Sequence, residues 1–170
     1  SKNNLRYGSY EKGTWEIEEI NDTDGSEKSL ALQVGPKTGV PQAVFVDSQG
    51  QIRHSIREQE GLWSTSIVSE ASGIVKLALD DKDLPRIAYQ GANDKKLHYT
   101  RRLEKSRIGL KTRWIDDIAD SQVETGQALS MAIDEENRTH IAYFDKPEGS
   151  IKYYVEPHYF KYTKELEGRN

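Results

Sequence analysis

The sequence predicts an all-β protein, and three observations carry that prediction. One hairpin is written three times, apolar and polar residues alternate with period two through its copies, and Gly- or Asx-containing turns punctuate the chain. The copies are VPQAVFVDSQGQIRHSI from Val40, LPRIAYQGANDKKLHYT from Leu84 and RTHIAYFDKPEGSIKYYV from Arg138. Turns are expected at Asp24-Gly25, Gly39, Ser48-Gln49-Gly50, Asn93-Asp94 and Glu148-Gly149. No segment has sustained helical periodicity, and only the terminal YTKELEGRN reads as a single helical turn.

Taken in order, each copy has four short elements. The first is an apolar pair before a turn: Ala31-Leu32-Gln33, Ala78-Leu79-Asp80 and Ala132-Ile133-Asp134. The second ends on an aromatic: Phe45, Tyr89 and Tyr143. The third begins at Ile52, Leu97 and Ile151, and runs apolar, basic or His, then aromatic or His. The fourth is opened by Trp63 and Trp114. The chain also begins with the second half of this unit, Leu5-Arg6-Tyr7 followed by Trp15. It ends with Phe160 near the place where a Trp is expected. Third-element starts at Leu5, Ile52, Leu97 and Ile151 are separated by 47, 45 and 54 residues. Such spacing is the period of a four-stranded β-propeller blade, roughly 40 to 50 residues. The longest copy carries extra length in RRLEKSRIGLKTR, read as a hairpin extension before Trp114.

The expected architecture is therefore blades of four antiparallel strands, about three and a half of them in one repeat domain. Residues 1–28 are a half blade, and 29–70, 71–122 and 123–170 are blades. A β-sandwich spaces strands in the same way, but has no need to copy one hairpin in order. Propellers close with typically four to eight blades. Three and a half leave sheet edges and apolar faces to be covered, by a second copy or by the remainder of a longer chain.

Composition narrows the partners. Net charge is −4 and the isoelectric point is about 5.6, which argues against a nucleic-acid backbone as the main partner. The basic run KKLHYTRRLEK, Lys95 to Lys105, reads as the solvated face of a hairpin. With no cysteine there is no disulfide framework, thiolate metal site or thiol nucleophile. No run approaches the roughly 18 apolar residues of a membrane helix, and SKNNLRYGSYEKG contains no apolar core of a signal peptide.

The segments SLALQ…GVPQAVF, KLALDDKDLPRIAY and LSMAIDEENRTHIAY, with the LRY, IRH, LHY and IKY strands, resemble the sialidase-like β-propeller repeats of secreted bacterial proteins. The resemblance spans nearly the whole chain. It implies a propeller fold, an extracellular or cell-surface location, and a carbohydrate or surface-protein ligand. Catalytic sialidases add an F-R-I-P motif and S-x-D-x-G-x-x-W turns, and this sequence has neither. The expectation is thus a non-catalytic binding or assembly module. A fragment of a sialidase-like glycan-processing enzyme and a purely structural repeat are the alternatives, because propellers host many activities.

Candidate contacts follow from equivalent positions of successive copies. The residue before the I-A-Y element is Gln42, Arg86 and His140, three polar side chains at one address. Asp47, Gln90 and Asp145 follow the aromatic position and form a second candidate ring. Trp15, Trp63 and Trp114 recur at one position and read as packing between blades, as do Tyr99, Tyr153 and Tyr154. Tyr159, Phe160 and Tyr162 read as exposed, or as a seal against a partner. No catalytic residue is assigned: there is no G-x-S-x-G elbow, and the 28 acids single out no glycosidase pair. His54, His98, His140 and His158 lack metal-ligand spacing. The acidic loops NDTDGSE, DDKD and DEEN make calcium the one cofactor worth testing, although none has the spacing of an EF-hand loop and solvated turns are the simpler account.

Overall fold

The computed structural model describes residues 4–20, 23, 29–103, 114–122 and 124–156. Its twelve strands are β1 (Arg6–Glu11), β2 (Thr14–Glu19), β3 (Ser29–Val34), β4 (Pro41–Val46), β5 (Gln51–Gln59), β6 (Leu62–Leu79), β7 (Pro85–Gly91), β8 (Leu97–Arg102), β9 (Trp114–Asp120), β10 (Thr125–Ile133), β11 (Thr139–Asp145) and β12 (Ser150–Val155). There is no helix among the described residues. Most of the RRLEKSRIGLKTR extension and of the NDTDGSE loop, His158, Tyr159, Phe160, Tyr162 and YTKELEGRN lie outside them.

Every strand pair is antiparallel, and within each sheet consecutive strands are neighbours. The hairpin β1–β2 stands alone, and β10–β11–β12 form a three-stranded sheet. Between them, β3 to β9 form one continuous seven-stranded order in which the long β6 serves two halves, the first and the second sheet. From Leu62 to Glu70 it pairs with β5, completing the first sheet, β3–β4–β5–β6. From Ala71 to Leu79 it pairs with β7, opening the second sheet, β6–β7–β8–β9, with a register shift between Ala71 and Val75. The sheets do not close on themselves.

The register corrects one sequence alignment. Ala78 lies opposite Arg86 and Ala132 opposite His140, whereas Ala31 lies opposite Val44, two residues away from Gln42. Gln33 is the true counterpart of Ala78. A shift of two preserves which side chains face which way, so alternation alone could not reveal it.

Burial explains the order of the sheets. All six residues of β4 are buried, so both faces of this strand need cover. Ala43 and Phe45 point toward β1–β2 and form a core with Ile20 and Trp63, edged by Leu5 and Tyr7. Val44 and Val46 point the other way, into a core with Ile52, Ala71, Val75, Leu77, Ile87 and Tyr89 of the first and second sheets. Across the second sheet the pattern repeats: Ala88, Leu97 and Tyr99 pack on Leu129, Ile141 and Tyr143 of the third. Each fully buried Val, Ile or Phe contributes about 1.5–3 kcal/mol. The sheets therefore stack face to face, as strands with two apolar faces require.

A polar bolt accompanies each apolar interface. Gln42, buried on β4, donates from Nε2 to the carbonyl of Asp83 in the β6–β7 turn at 2.9 Å. Arg86, its counterpart on β7, donates from Nη1 to the carbonyl of Asn137 in the β10–β11 turn at 2.8 Å. Asp83 and Asn137 share a left-handed backbone, with φ of 61° and 62°. Asp and Asn tolerate that conformation better than other side-chain-bearing residues. Their side chains reach back to the preceding sheet. The Asp83 carboxylate accepts from Lys37 N and Thr38 N at 2.9 and 2.8 Å, and Asn137 Oδ1 accepts from Asp81 N at 3.2 Å. Because Gln42 spends its amide N–H on Asp83, its Oε1 is left to accept from His54 Nε2 at 2.8 Å, which sets the His54 tautomer.

Two predictions follow from these contacts. Gln42→Leu leaves the Asp83 carbonyl and the His54 N–H buried without partners, and urea denaturation should show a loss of roughly 1–3 kcal/mol. His54 is pushed down to about 3, first by burial and then by the Arg102 charge. In the unfolded chain it takes up its proton near pH 6.5. Its contribution is thus full above pH 6.5 and is lost as pH falls toward about 3. Between pH 6.5 and 5, wild type should lose roughly 2 kcal/mol relative to His54→Gln, at 1.4 kcal/mol per pH unit; parallel curves for the two proteins would exclude the effect.

Candidate functional site

Gln42, Arg86 and His140 do share one register position and one side of their sheets. They do not form a common ring of ligand contacts. Gln42 and Arg86 are the inter-sheet bolts just described. Arg86 is further held by Thr139 Oγ1 and Glu156 Oε2, each at 2.8 Å. His140 sits on the outer side of the last sheet, against Asp134 at 2.9 Å and in short contact with the Tyr153 hydroxyl.

The second candidate set separates in register. Asp47 and Asp145 are equivalent, each at the end of the second strand of its unit. Gln90 is one position earlier, opposite Leu97, and matches Val46 and Phe144; the residue equivalent to the two Asp is Gly91. Asp47 Oδ1 accepts from Gln49 N and Gln51 N, both at 2.9 Å, and Oδ2 accepts from Arg53 Nε at 2.7 Å. Asp145 is paired with Lys152. Both Asp side chains are buried and committed to their own hairpins.

What distinguishes the second sheet is that this ion pair is rebuilt. Opposite the aromatic of the second strand stand Arg53, His98 and Lys152. In the first and third sheets an Asp at the strand end meets the cation. In the second, Gly91 occupies that place, and Asp94 from the turn meets His98 Nε2 at 3.0 Å instead. A Cβ on Gly91 would lie 2.7 Å from the His98 ring, so glycine is what lets the imidazole and Asp94 close in.

Beside this rebuilt pair lies a pocket of about 330 Å³, lined by Ser69, Glu70, Tyr89, Asn93, Asp94, His98 and Asp116 among others. The Tyr89 hydroxyl lies 2.6 Å from Asp116 Oδ1 and 2.9 Å from Ser69 Oγ. The Tyr89 and His98 rings stack with centroids 5.3 Å apart. Asp116 Oδ2 is 3.5 Å from His98 Nδ1, and this buried nitrogen has no hydrogen-bond partner. Burial, and then the Asp116 carboxylate, push the Tyr89 phenol above its ordinary range, so it remains an O–H donor. Burial works to raise Asp94, but the hydrogen bonds from His98 and Lys96 outweigh it and hold the carboxyl below its usual value. The pocket thus presents the ionised Asp94 carboxylate beside a neutral phenol and an imidazole.

A second cavity, about 470 Å³, opens at the opposite ends of the strands beside Arg86, Arg101, Asp80 and Asn137. Its charges are largely spent on one another. Glu156 accepts from Arg86, from Thr139 Oγ1 at 3.0 Å and from the Tyr99 hydroxyl at 3.2 Å, and it pairs with Arg101 at 3.4 Å. This network ties the second sheet to the third.

Two of the acidic loops considered for calcium, DDKD and DEEN, are engaged in their turns. Asp80 Oδ1 accepts from Lys82 N and Leu84 N, and Asp134 Oδ1 from Glu136 N and Arg138 N. Among the described residues no group of three or more His, Asp or Glu is disposed to hold a metal ion. No helix of the described residues is long and apolar enough to cross a membrane.

In comparisons with known proteins, no family model matches the chain and no curated protein matches it. The pocket therefore has to be read from its own residues. Sequence reasoning passed over Tyr89, Asp94, His98 and Asp116. The signal was nevertheless there: His98 and Gly91 are where the second copy departs from the Arg/Lys and Asp of its siblings.

Gly91→Ala should move the His98 imidazole or Asp94, at a cost of about 1–3 kcal/mol for overpacking. NMR of the His98 ring checks this directly, since unchanged resonances would mean that the space is available.

Proposed function

We propose that this chain is a non-catalytic binding module built from β-propeller-type blades, and that the Tyr89–Asp94–His98–Asp116 pocket takes a polyhydroxylated ligand, a carbohydrate. The propeller reading is supported by two consecutive four-stranded antiparallel sheets stacked face to face. It is further supported by β6, which runs from the last strand of one sheet into the first of the next. The extracellular or surface location suggested by the sequence resemblance belongs to the same reading.

The single observation that carries the ligand class is the pocket's hydrogen-bonding inventory. The Asp94 and Asp116 carboxylates can accept from several hydroxyl donors at once, and His98 Nδ1, which makes no hydrogen bond, and the Ser69 and Tyr89 hydroxyls add directional contacts. A few convergent polar groups in a concave site of this size are the usual means of orienting a small ligand.

A glycan array followed by calorimetry tests the proposal. Wild type should bind a defined set of glycans, and Asp94→Asn and Asp116→Asn should each weaken binding by about tenfold or more, equivalent to 1.4 kcal/mol. Absence of glycan binding, or binding indifferent to both substitutions, would remove the carbohydrate reading. Turnover of aryl glycosides by wild type would replace the module by a glycosidase.

A further inference from the structure

We infer that the two ends of the sheet stack are a matched pair of surfaces, and that a second copy of this chain docks its β1–β2 hairpin onto the last sheet of its neighbour, head to tail. The argument rests on the stacking of the sheets and is independent of the ligand proposed for the pocket.

Each interior interface joins two different surfaces. At the first two, the surface facing forward is built by the third strand of a sheet and the surface facing back carries the Trp of the fourth; at the third, Leu129, Ile141 and Tyr143 of the last sheet cover Leu97 and Tyr99. At the first interface Trp63 meets Tyr7 edge to face, with ring centroids 5.3 Å apart. At the second, Trp114 meets His54 in the same manner at 5.5 Å. Tyr7, His54, Tyr99 and Tyr153 are equivalent positions, as are Trp15, Trp63 and Trp114.

At the ends of the stack these same positions are bare. The last sheet turns Ile151 and Tyr153 outward, 80% and 62% exposed, where their counterparts Leu97 and Tyr99 are 0% and 2% exposed. The hairpin β1–β2 turns Trp15 outward at 67%, where Trp63 is 2% exposed, and Tyr10 and Ile17 flank it. One end therefore offers the strand-three surface without its Trp, and the other offers the Trp without its strand-three surface. Apolar patches of this kind mark interaction sites. The interior contacts specify the occupant: Trp15 of one copy against Tyr153 and Ile151 of the next, continuing the series Trp63–Tyr7 and Trp114–His54. The interface is heterologous, so it builds a ring if the rotation closes and a filament if it does not.

Trp15→Glu and Ile151→Glu test this, because each spoils one end and leaves the other intact. Both residues are exposed, and circular dichroism with a urea titration checks that each variant is folded. Light scattering on wild type should show association that grows with concentration. Each variant alone should be a 19.4 kDa monomer, and an equimolar mixture should form a 1:1 dimer that goes no further. A wild type that stays monomeric at about 100 μM, a single variant that still associates, or a mixture that stays monomeric would each overturn the inference.

Discussion

The structure depends on a strand that is apolar on both sides. In β4, Ala43 and Phe45 face one neighbour while Val44 and Val46 face the other, and none of the four is more than 1% exposed. A strand of this kind cannot lie on a surface, and its sheet must be covered front and back. That requirement repeats in the second sheet, where Ile87 and Tyr89 look back and Ala88 looks forward. Stacking thus follows from strand-level burial, and the cores lie between sheets and not within a closed layer. It also explains why Leu30, Leu32 and Val34 remain about half exposed: they face toward β1–β2, which has only two strands with which to cover them.

Polar groups on the same strands are made compatible with burial by reaching into the next sheet. Gln42 and Arg86 both donate to a carbonyl held by a left-handed turn residue, Asp83 or Asn137, and these return a side chain to the sheet before. The difference between the two bolts follows from their surroundings. Gln42 is enclosed, and a neutral amide satisfies both the Asp83 carbonyl and the His54 imidazole. Arg86 lies beside Glu156 and Asp80, which balance its charge. At Gln42 and Arg86 the equivalent polar position of the repeat fastens one copy to the next.

The pocket arises where the repeat is interrupted. An Asp at the end of the second strand and a cation opposite its aromatic close the hairpin in the first and third sheets. In the second, Gly91 lets Asp94 of the turn close on His98 instead, and Tyr89 and Asp116 line the pocket beside that pair. This break was readable once the copies were aligned on register. Period-two counting cannot detect a shift of two, which is how Ala31 takes the place of Gln33; Gln90 stands one position from Gly91, so its facing alone separates it from Asp47 and Asp145.

From the sequence alone came the all-β character, the recurring hairpin and the packing role of Trp63, because alternation and repetition are properties of local order along the chain. Only the tertiary structure decided which polar residues are fasteners and which are free to meet a ligand. That outcome turns on a partner 40 or 50 residues away, such as Asp83 for Gln42 or Asn137 for Arg86. It likewise decided that Trp15 and Tyr153 are bare while their copies are buried, since burial depends on the presence of a neighbouring sheet and not on the residue itself.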